Sequence, residues 1–204
     1  MPELPEIETF KREVDRTSLR KRIRCVRILD SSLLKNVSPR RLSAMLRGHR
    51  LVDSRRHGKY LGIRSDRGDW IVFHFGMTGA LIAREPSAGI PEYAKVVTEF
   101  ADDSSLAYVS QRKLGMIKLV ADFETFTQSK QLGPDAFEID VSMCWAQLRG
   151  RRGIVKSALM NQSNIAGIGN IYSDEILFQA RVRPNRNSGR RCIVRARHRG
   201  TASM

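Results

Sequence analysis

Met1-Pro2-Glu3-Leu4-Pro5-Glu6 would, once Met1 is removed, present a proline secondary amine beside two carboxylates. An α-amino group titrates near pH ~8, against ~10.4 for a lysine, so part of it is unprotonated at neutral pH and can attack an electrophilic carbon. While Met1 stays, the Pro2 nitrogen is an unreactive amide. A small residue at position two permits initiator removal, and the mature chain is expected to begin at Pro2. Glu3 adjoins the amine and is the first candidate for acid/base work. Glu6 falls about one helical turn further on, where it could orient the amine, shuttle its proton or stabilise a helix N-terminus. A plainer reading makes both prolines helix-start residues, since a first-turn proline loses no hydrogen bond.

The elements that would position these groups follow from pattern. Ile7, Phe10 and Val14 mark one face of a helix over residues 5–15. Alternation over Ile23–Ile28 predicts a strand, and Ser38 to Arg47 before Gly48 a short capped helix. Short β-branched or aromatic runs then dominate: Leu51–Asp53, Tyr60–Arg64, Trp70–Phe75, Ala80–Ala83, Val96–Phe100, Leu106–Val109 and Met116–Val120. Their spacing predicts a sandwich of two antiparallel sheets over residues 1–122, within an α+β chain. Residues 123–135 read as a linker centred on Gly133-Pro134. Helices are expected from a Ser142 cap through Leu148, over Ile154–Asn161, and over Ile171–Ala180 with Ile171, Ile176 and Leu177 among its apolar positions. Residues 187–204 read as a disordered basic tail.

Formal net charge is +15, and six arginines without an acidic residue lie between 185 and 204, leaving +9 on residues 1–184. Such a balance favours a polyanionic partner through counterion release, without choosing a function. Cys25, Cys144 and Cys192 are too far apart to suggest a disulfide framework or a zinc site, and no apolar run is long enough to span a bilayer. The expectation is a cytoplasmic monomer, nucleoid-associated if bacterial, with no membrane partner.

Four stretches occur in one order: Met1-Pro-Glu-Leu-Pro-Glu-Ile-Glu-Thr9, Arg56-His-Gly-Lys-Tyr60, His74-Phe-Gly-Met-Thr-Gly79 and Gly167-Ile-Gly-Asn-Ile-Tyr-Ser-Asp-Glu175. Together they resemble the formamidopyrimidine-DNA glycosylase and endonuclease VIII-like family over residues 1 to about 186. The resemblance implies double-stranded DNA carrying damaged bases or abasic sites as partner. It also implies a nucleophilic Pro2 that removes an oxidised purine and then cuts the strand on both sides of the lost sugar. Glu3 would act on the sugar ring oxygen. Lys59, at the family's hairpin lysine position, would bind a phosphate or assist proton transfer near the base. Met77 matches the residue that fills the gap left by an extruded base, and Arg112 and Leu114 align with the other intercalating positions. Lys156 and Asn170 would hold the DNA backbone, Asn170 at the start of a helix in a helix–two-turns–helix element over 136–186.

Two departures from the family accompany this. Ser110-Gln-Arg-Lys-Leu-Gly115 replaces four of six residues of the purine enzymes' Asp-Pro-Arg-Arg-Phe-Gly, which leaves oxidised pyrimidines open as substrates. The family's further helices and C-terminal zinc hairpin have no counterpart after Arg186. The amine chemistry itself needs no metal or organic cofactor. A shortened, catalytically weak protein that binds damaged DNA is the alternative reading.

Overall fold

The computed structural model describes residues 1–151 and 153–187. The expected basic tail, from residue 188 onward and with Cys192, lies outside the described residues. The chain forms two compact units that divide between Gln128 and Ser129.

The first unit opens with α1 (Leu4–Thr17), whose Leu4, Ile7 and Val14 are buried at helical spacing, with Pro5 in the first turn. β1 (Ile23–Ile28), the two-residue β2 (Leu34–Lys35) and α2 (Pro39–Leu46) follow. Ser38 caps α2 by accepting the Arg41 N–H. Then come β3 (Leu51–His57), β4 (Tyr60–Ser65), β5 (Trp70–His74), β6 (Gly79–Arg84), β7 (Ala94–Phe100), β8 (Ser105–Ser110) and β9 (Met116–Val120). They form a four-stranded sheet in the order β1-β7-β8-β6 and a five-stranded sheet in the order β2-β9-β5-β4-β3. Every pairing is antiparallel except β2 with β9. Leu61, Phe73 and Ile117 of one sheet meet Leu81, Val96 and Tyr108 of the other in a common core that α1 and α2 extend.

β5 shows why its sequence is apolar at every position but the last. Ile71 and Phe73 face the inter-sheet core, while Trp70 and Val72 face a second cluster with Phe123 and Phe126. Those phenylalanines belong to α3 (Phe123–Ser129), which occupies most of the stretch expected to be a linker. A seven-residue helix with two large aromatics covers the outer face of β5, and so short a segment shows little periodicity in the sequence. Gly62 makes the fit possible, because a Cβ there would lie 2.5 Å from the Phe123 ring.

β3 also runs four residues past its expected end. Among its later positions, Ser54 and Arg56 are polar because they face α1 rather than water, while Arg55 is exposed. Ser54 donates to Asp15, and Arg56 Nε donates to Glu8 Oε2 at 2.9 Å.

Strand register defines the two ends of this unit. His57 pairs with Tyr60, Tyr60 with His74, and His74 with Met116. The β3–β4 turn, the β5–β6 turn and the β8–β9 loop therefore share one rim. On the opposite rim Leu51 pairs with Ser65 and Trp70 with Val120, and the Arg20 N–H, just after α1, donates to the Leu51 carbonyl at 2.7 Å.

The second unit contains α4 (Val141–Leu148), α5 (Val155–Met160) and α6 (Asn170–Gln179) around Leu148, Val155, Leu159, Ile165, Ile168 and Leu177. Asp140, not Ser142, caps α4: its carboxylate accepts the Met143 N–H at 2.7 Å. A carboxylate one residue before the helix reaches the third amide of the first turn, which Ser142, already inside the helix, cannot do. Only Leu177 of the three expected apolar positions on α6 is buried; Ile171 and Ile176 are exposed. Gly133-Pro134 is docked rather than loose. Gly133 donates to the Gln162 carbonyl at 2.9 Å, Pro134 O accepts the Ala166 N–H, and a Cβ at 133 would sit 2.4 Å from Asn164 O.

Candidate active site and nucleic-acid interface

Glu3 is the N-cap of α1 and is only 1% exposed. Its side chain and that of Glu6 close a capping box, with Glu6 Oε2 accepting the Glu3 N–H at 2.8 Å. Glu6 thus fixes the backbone on which Glu3 and Pro2 stand. Pro2 is half-buried just before the helix, and exposed Met1 acylates its nitrogen.

Lys59 reaches the same place from the β3–β4 turn. Gly58 precedes it at φ 55°, the positive value a two-residue hairpin needs at its first central position. Lys59 is 8% exposed. Burial pushes its ammonium below the usual lysine range, and the Glu3 carboxylate partly opposes that shift. Two buried groups of opposite charge, Glu3 and Lys59, therefore interact, and Glu3 follows Pro2 directly in the chain. Arg56 locks this arrangement by bonding Glu8 on α1, and burial of Glu8 is outweighed by Arg56 and Arg12, which hold its carboxyl low. The charge of Arg56 was visible in the sequence, but its partner 48 residues away was not.

Met77, Arg112 and Leu114 meet on the same rim. Met77 is exposed between buried Gly76 and Gly79. Gly76, at φ 57°, lies so close to the β8–β9 loop that a Cβ would come within 2.5 Å of the Leu114 backbone. The Arg112 N–H donates to Thr78 Oγ1 at 3.0 Å. Tyr108 donates to His74 O at 3.1 Å beneath Gly115, leaving no room for a side chain there. Both loops are thus clamped to each other through their backbones while the Arg112 and Leu114 side chains remain exposed. Lys113, at φ 52°, is tied back to Asp30 at 2.8 Å. Lys113 and then Ser32 hold the Asp30 carboxyl well below the ordinary carboxylate range. No sequence signal links residues this far apart.

In the second unit, nine residues connect α5 to α6. The Gln162 amide stitches them: Nε2 donates to Met160 O and Ile168 O, and Oε1 accepts the Gly167 N–H at 3.0 Å. Gly167 has φ 109°, open only to glycine. Asn170 is exposed at the first position of α6. Lys156 Nζ lies 2.7 Å from Asp174, one turn along α6 from Asn170, so the two predicted backbone contacts share one face. The sequence reading missed both Gln162 and Asp174, whose partners are reached only in the fold.

Among the described residues, no group of three or more His, Cys, Asp or Glu side chains could hold a metal ion. No helix among them is long and apolar enough to cross a membrane.

Residues 1–117 match the formamidopyrimidine-DNA glycosylase N-terminal domain, and residues 132–191 the formamidopyrimidine-DNA glycosylase H2TH domain. The formamidopyrimidine-DNA glycosylase of Moorella thermoacetica is 35% identical over 190 residues, which cover 91% of this chain and 69% of the relative. The Lactococcus lactis protein in complex with abasic-site DNA superposes with a TM-score of 0.85 at 25% identity, covering 96% of this chain and 74% of that one. The same protein bound to DNA containing an oxidised pyrimidine gives 0.85 at 26%, covering 97% and 76%. Two domain matches in order, joined to a buried Glu3–Lys59 pair beside Pro2, make this chain a member of the formamidopyrimidine-DNA glycosylase family.

Proposed function

We propose that this protein is a DNA base-excision repair enzyme that removes an oxidised base and cleaves the resulting abasic site through its N-terminal proline. The observation that carries the reading is the buried Glu3–Lys59 pair at the N-terminus of α1, beside Pro2. Removal of Met1 turns the Pro2 nitrogen into a secondary amine. That amine attacks C1′ of the damaged nucleotide, and the base leaves with the electron pair of the glycosidic bond. Glu3 protonates the ring oxygen as the sugar opens, which yields an iminium between Pro2 and C1′. The iminium acidifies the C2′ proton; its removal expels the 3′ phosphate, and a further elimination expels the 5′ phosphate. Hydrolysis of the last imine frees the amine. Lys59 serves as phosphate partner or proton carrier, its lowered proton affinity suiting the second role. Glu6 holds the Glu3 backbone and would pass the amine's proton.

Met77, Arg112 and Leu114 would enter the stack where the base has left, which offsets an unstacking cost of a few kcal/mol. Lys156 and Asn170 would contact the phosphodiester backbone. Double-stranded DNA with damaged bases or abasic sites is therefore the partner, a monomer the working form and the cytoplasm its place. The amine chemistry itself needs no metal or organic cofactor. Oxidised purines such as 8-oxoguanine and formamidopyrimidines are the first choice of substrate. Leu114 in place of an aromatic favours a second reading that includes oxidised pyrimidines, and the oxidised-pyrimidine complex of the Lactococcus lactis relative supports it.

The test is product analysis on duplexes with 8-oxoguanine opposite cytosine, or with an oxidised pyrimidine opposite its normal partner. A one-nucleotide gap with phosphate on both ends is expected from the first duplex. Intact strands on both, from folded protein that has lost Met1, would leave a damaged-DNA-binding protein instead.

A further inference from the structure

The rim opposite Glu3 and Lys59 carries a cluster of arginines that the proposed chemistry does not use. Arg20, Arg22, Arg47 and Arg50 are all exposed. They are brought together by chain geometry: Arg22 and Arg50 form an antiparallel bridge, and Arg20 N–H bonds Leu51 O. Arg47 precedes Gly48, whose carbonyl accepts from Arg22 Nε at 3.2 Å. Arg50 Nη1 donates to Arg20 O at 2.6 Å. Two of the guanidiniums are thus held by backbone carbonyls instead of swinging freely, which lowers the entropy cost of meeting an anion.

Charge accounting sets this cluster apart from its neighbours. Lys21 pairs with Asp102, and Arg24 with Glu99 and Asp103. Among the described residues no carboxylate lies within ion-pair distance of the Arg20, Arg22, Arg47 or Arg50 side chains. Asp66, beside Arg50, is engaged by His49 Nδ1 at 2.8 Å and by the Arg50 backbone N–H, and Asp102 and Asp103, which follow the Ala101 that bonds Arg22 O, are taken by Lys21 and Arg24. Four cations whose neighbouring carboxylates are already in use make a site for a repeating anion. The spacing from the catalytic end is large. α1 runs from one rim to the other over 14 residues, about 21 Å at 1.5 Å per residue. β3 makes the same journey in seven residues, about 20 Å.

We propose that Arg20, Arg22, Arg47 and Arg50 form a second duplex-DNA backbone site, which holds a DNA segment other than the one at Glu3 and Lys59. Because phosphate contacts carry no sequence information, this site binds undamaged DNA weakly and in a strongly salt-dependent way. A protein holding two segments passes between them without full release. The proposal rests on the near rim being a DNA-binding end, and the test separates the two ideas.

The full chain is mixed with a donor-labelled duplex carrying 8-oxoguanine and an acceptor-labelled undamaged duplex. Energy transfer between them is read at about 50 mM salt, alongside strand cutting and the mass of the complex. The informative variant is Arg20→Glu with Arg47→Glu, because neither side chain makes a structural bond and the pair of reversals cancels the cluster's charge. Wild-type protein is expected to bridge the duplexes as one protein with two DNAs. The variant should lose transfer at least tenfold while cutting stays within about twofold. Transfer without cutting by wild-type protein, if lost in the variant, would uphold the second site and sink the glycosylase reading. Absence of transfer with wild-type protein, equal transfer with the variant, or a bridged complex containing two proteins would each overturn the proposal.

Discussion

An alanine at position 76 would place its methyl group 2.5 Å from the Leu114 carbonyl carbon and oxygen, at a backbone angle of φ 57°. Two costs add. An L-residue in the left-handed region costs about 1–2 kcal/mol, and forcing a methyl into a packed backbone contact about 1–3 kcal/mol. The sum, about 2–5 kcal/mol, corresponds to a Tm lower by about 5–15 °C for a chain of this size. Gly68→Ala is the control, since φ there is 100°, further from the region open to L-residues, yet nothing lies within 4 Å of the added Cβ. If Gly68→Ala does less damage, the excess at Gly76 is the steric contact with the β8–β9 loop. The same push separates Met77 from Leu114, so excision of 8-oxoguanine should fall at least tenfold in the Gly76→Ala protein at a temperature where it remains folded. Cleavage at a preformed abasic site, which has no base to extrude, should change much less. A Tm loss no greater than that of Gly68→Ala, with excision intact, would refute the idea that these two loops act as one clamped unit.

Other expected outcomes are read more simply. Lys59→Met should abolish most strand cutting and lower stability, by up to about 3–5 kcal/mol, because it leaves the buried Glu3 carboxylate without its cationic neighbour. The pH dependence follows from proton counting: the unfolded chain binds the Lys59 proton more tightly, so wild-type stability rises with pH between the folded pKa and the ordinary lysine value. That rise should shrink in Lys59→Met, and denaturant titrations at pH 7 and 10 measure it. Asp174→Asn frees Lys156 from its 2.7 Å partner, so affinity for duplex DNA should increase several-fold with a steeper salt dependence; unchanged binding would remove Lys156 from the interface. Gly62→Ala drives a methyl into the Phe123 ring and should cost about 1–3 kcal/mol by displacing α3, while abasic-site cleavage persists.

The candidate site was legible in the sequence because its signals are local. Pro2, Glu3 and Glu6 fall within one helical turn, Lys59 sits in a glycine turn, and Met77 lies between two glycines. Alternating apolar residues revealed the strands wherever one face was buried. Long-range pairing stayed hidden. Arg56 reads as surface charge until α1 brings Glu8 to it, and the polar half of β3 looks like loop for the same reason. α3 was lost in an expected linker because seven residues are too few to show a period, and its aromatics make sense only against Trp70. The clamp between Gly76 and Leu114, and the Asp30 tie on Lys113, join segments that no local pattern connects. At the opposite rim the individual arginines were countable, but their convergence without carboxylates depends on register between Arg22 and Arg50.

The most direct measurement of the central claim is borohydride trapping on duplexes carrying 8-oxoguanine opposite cytosine or an abasic site, with mass analysis of the adducted peptide. The account predicts a covalent adduct on the Pro2 nitrogen with both duplexes, none from protein that retains Met1, and little from Pro2→Gly. An adduct on a lysine, or no adduct from folded protein shown to begin at Pro2, would contradict it.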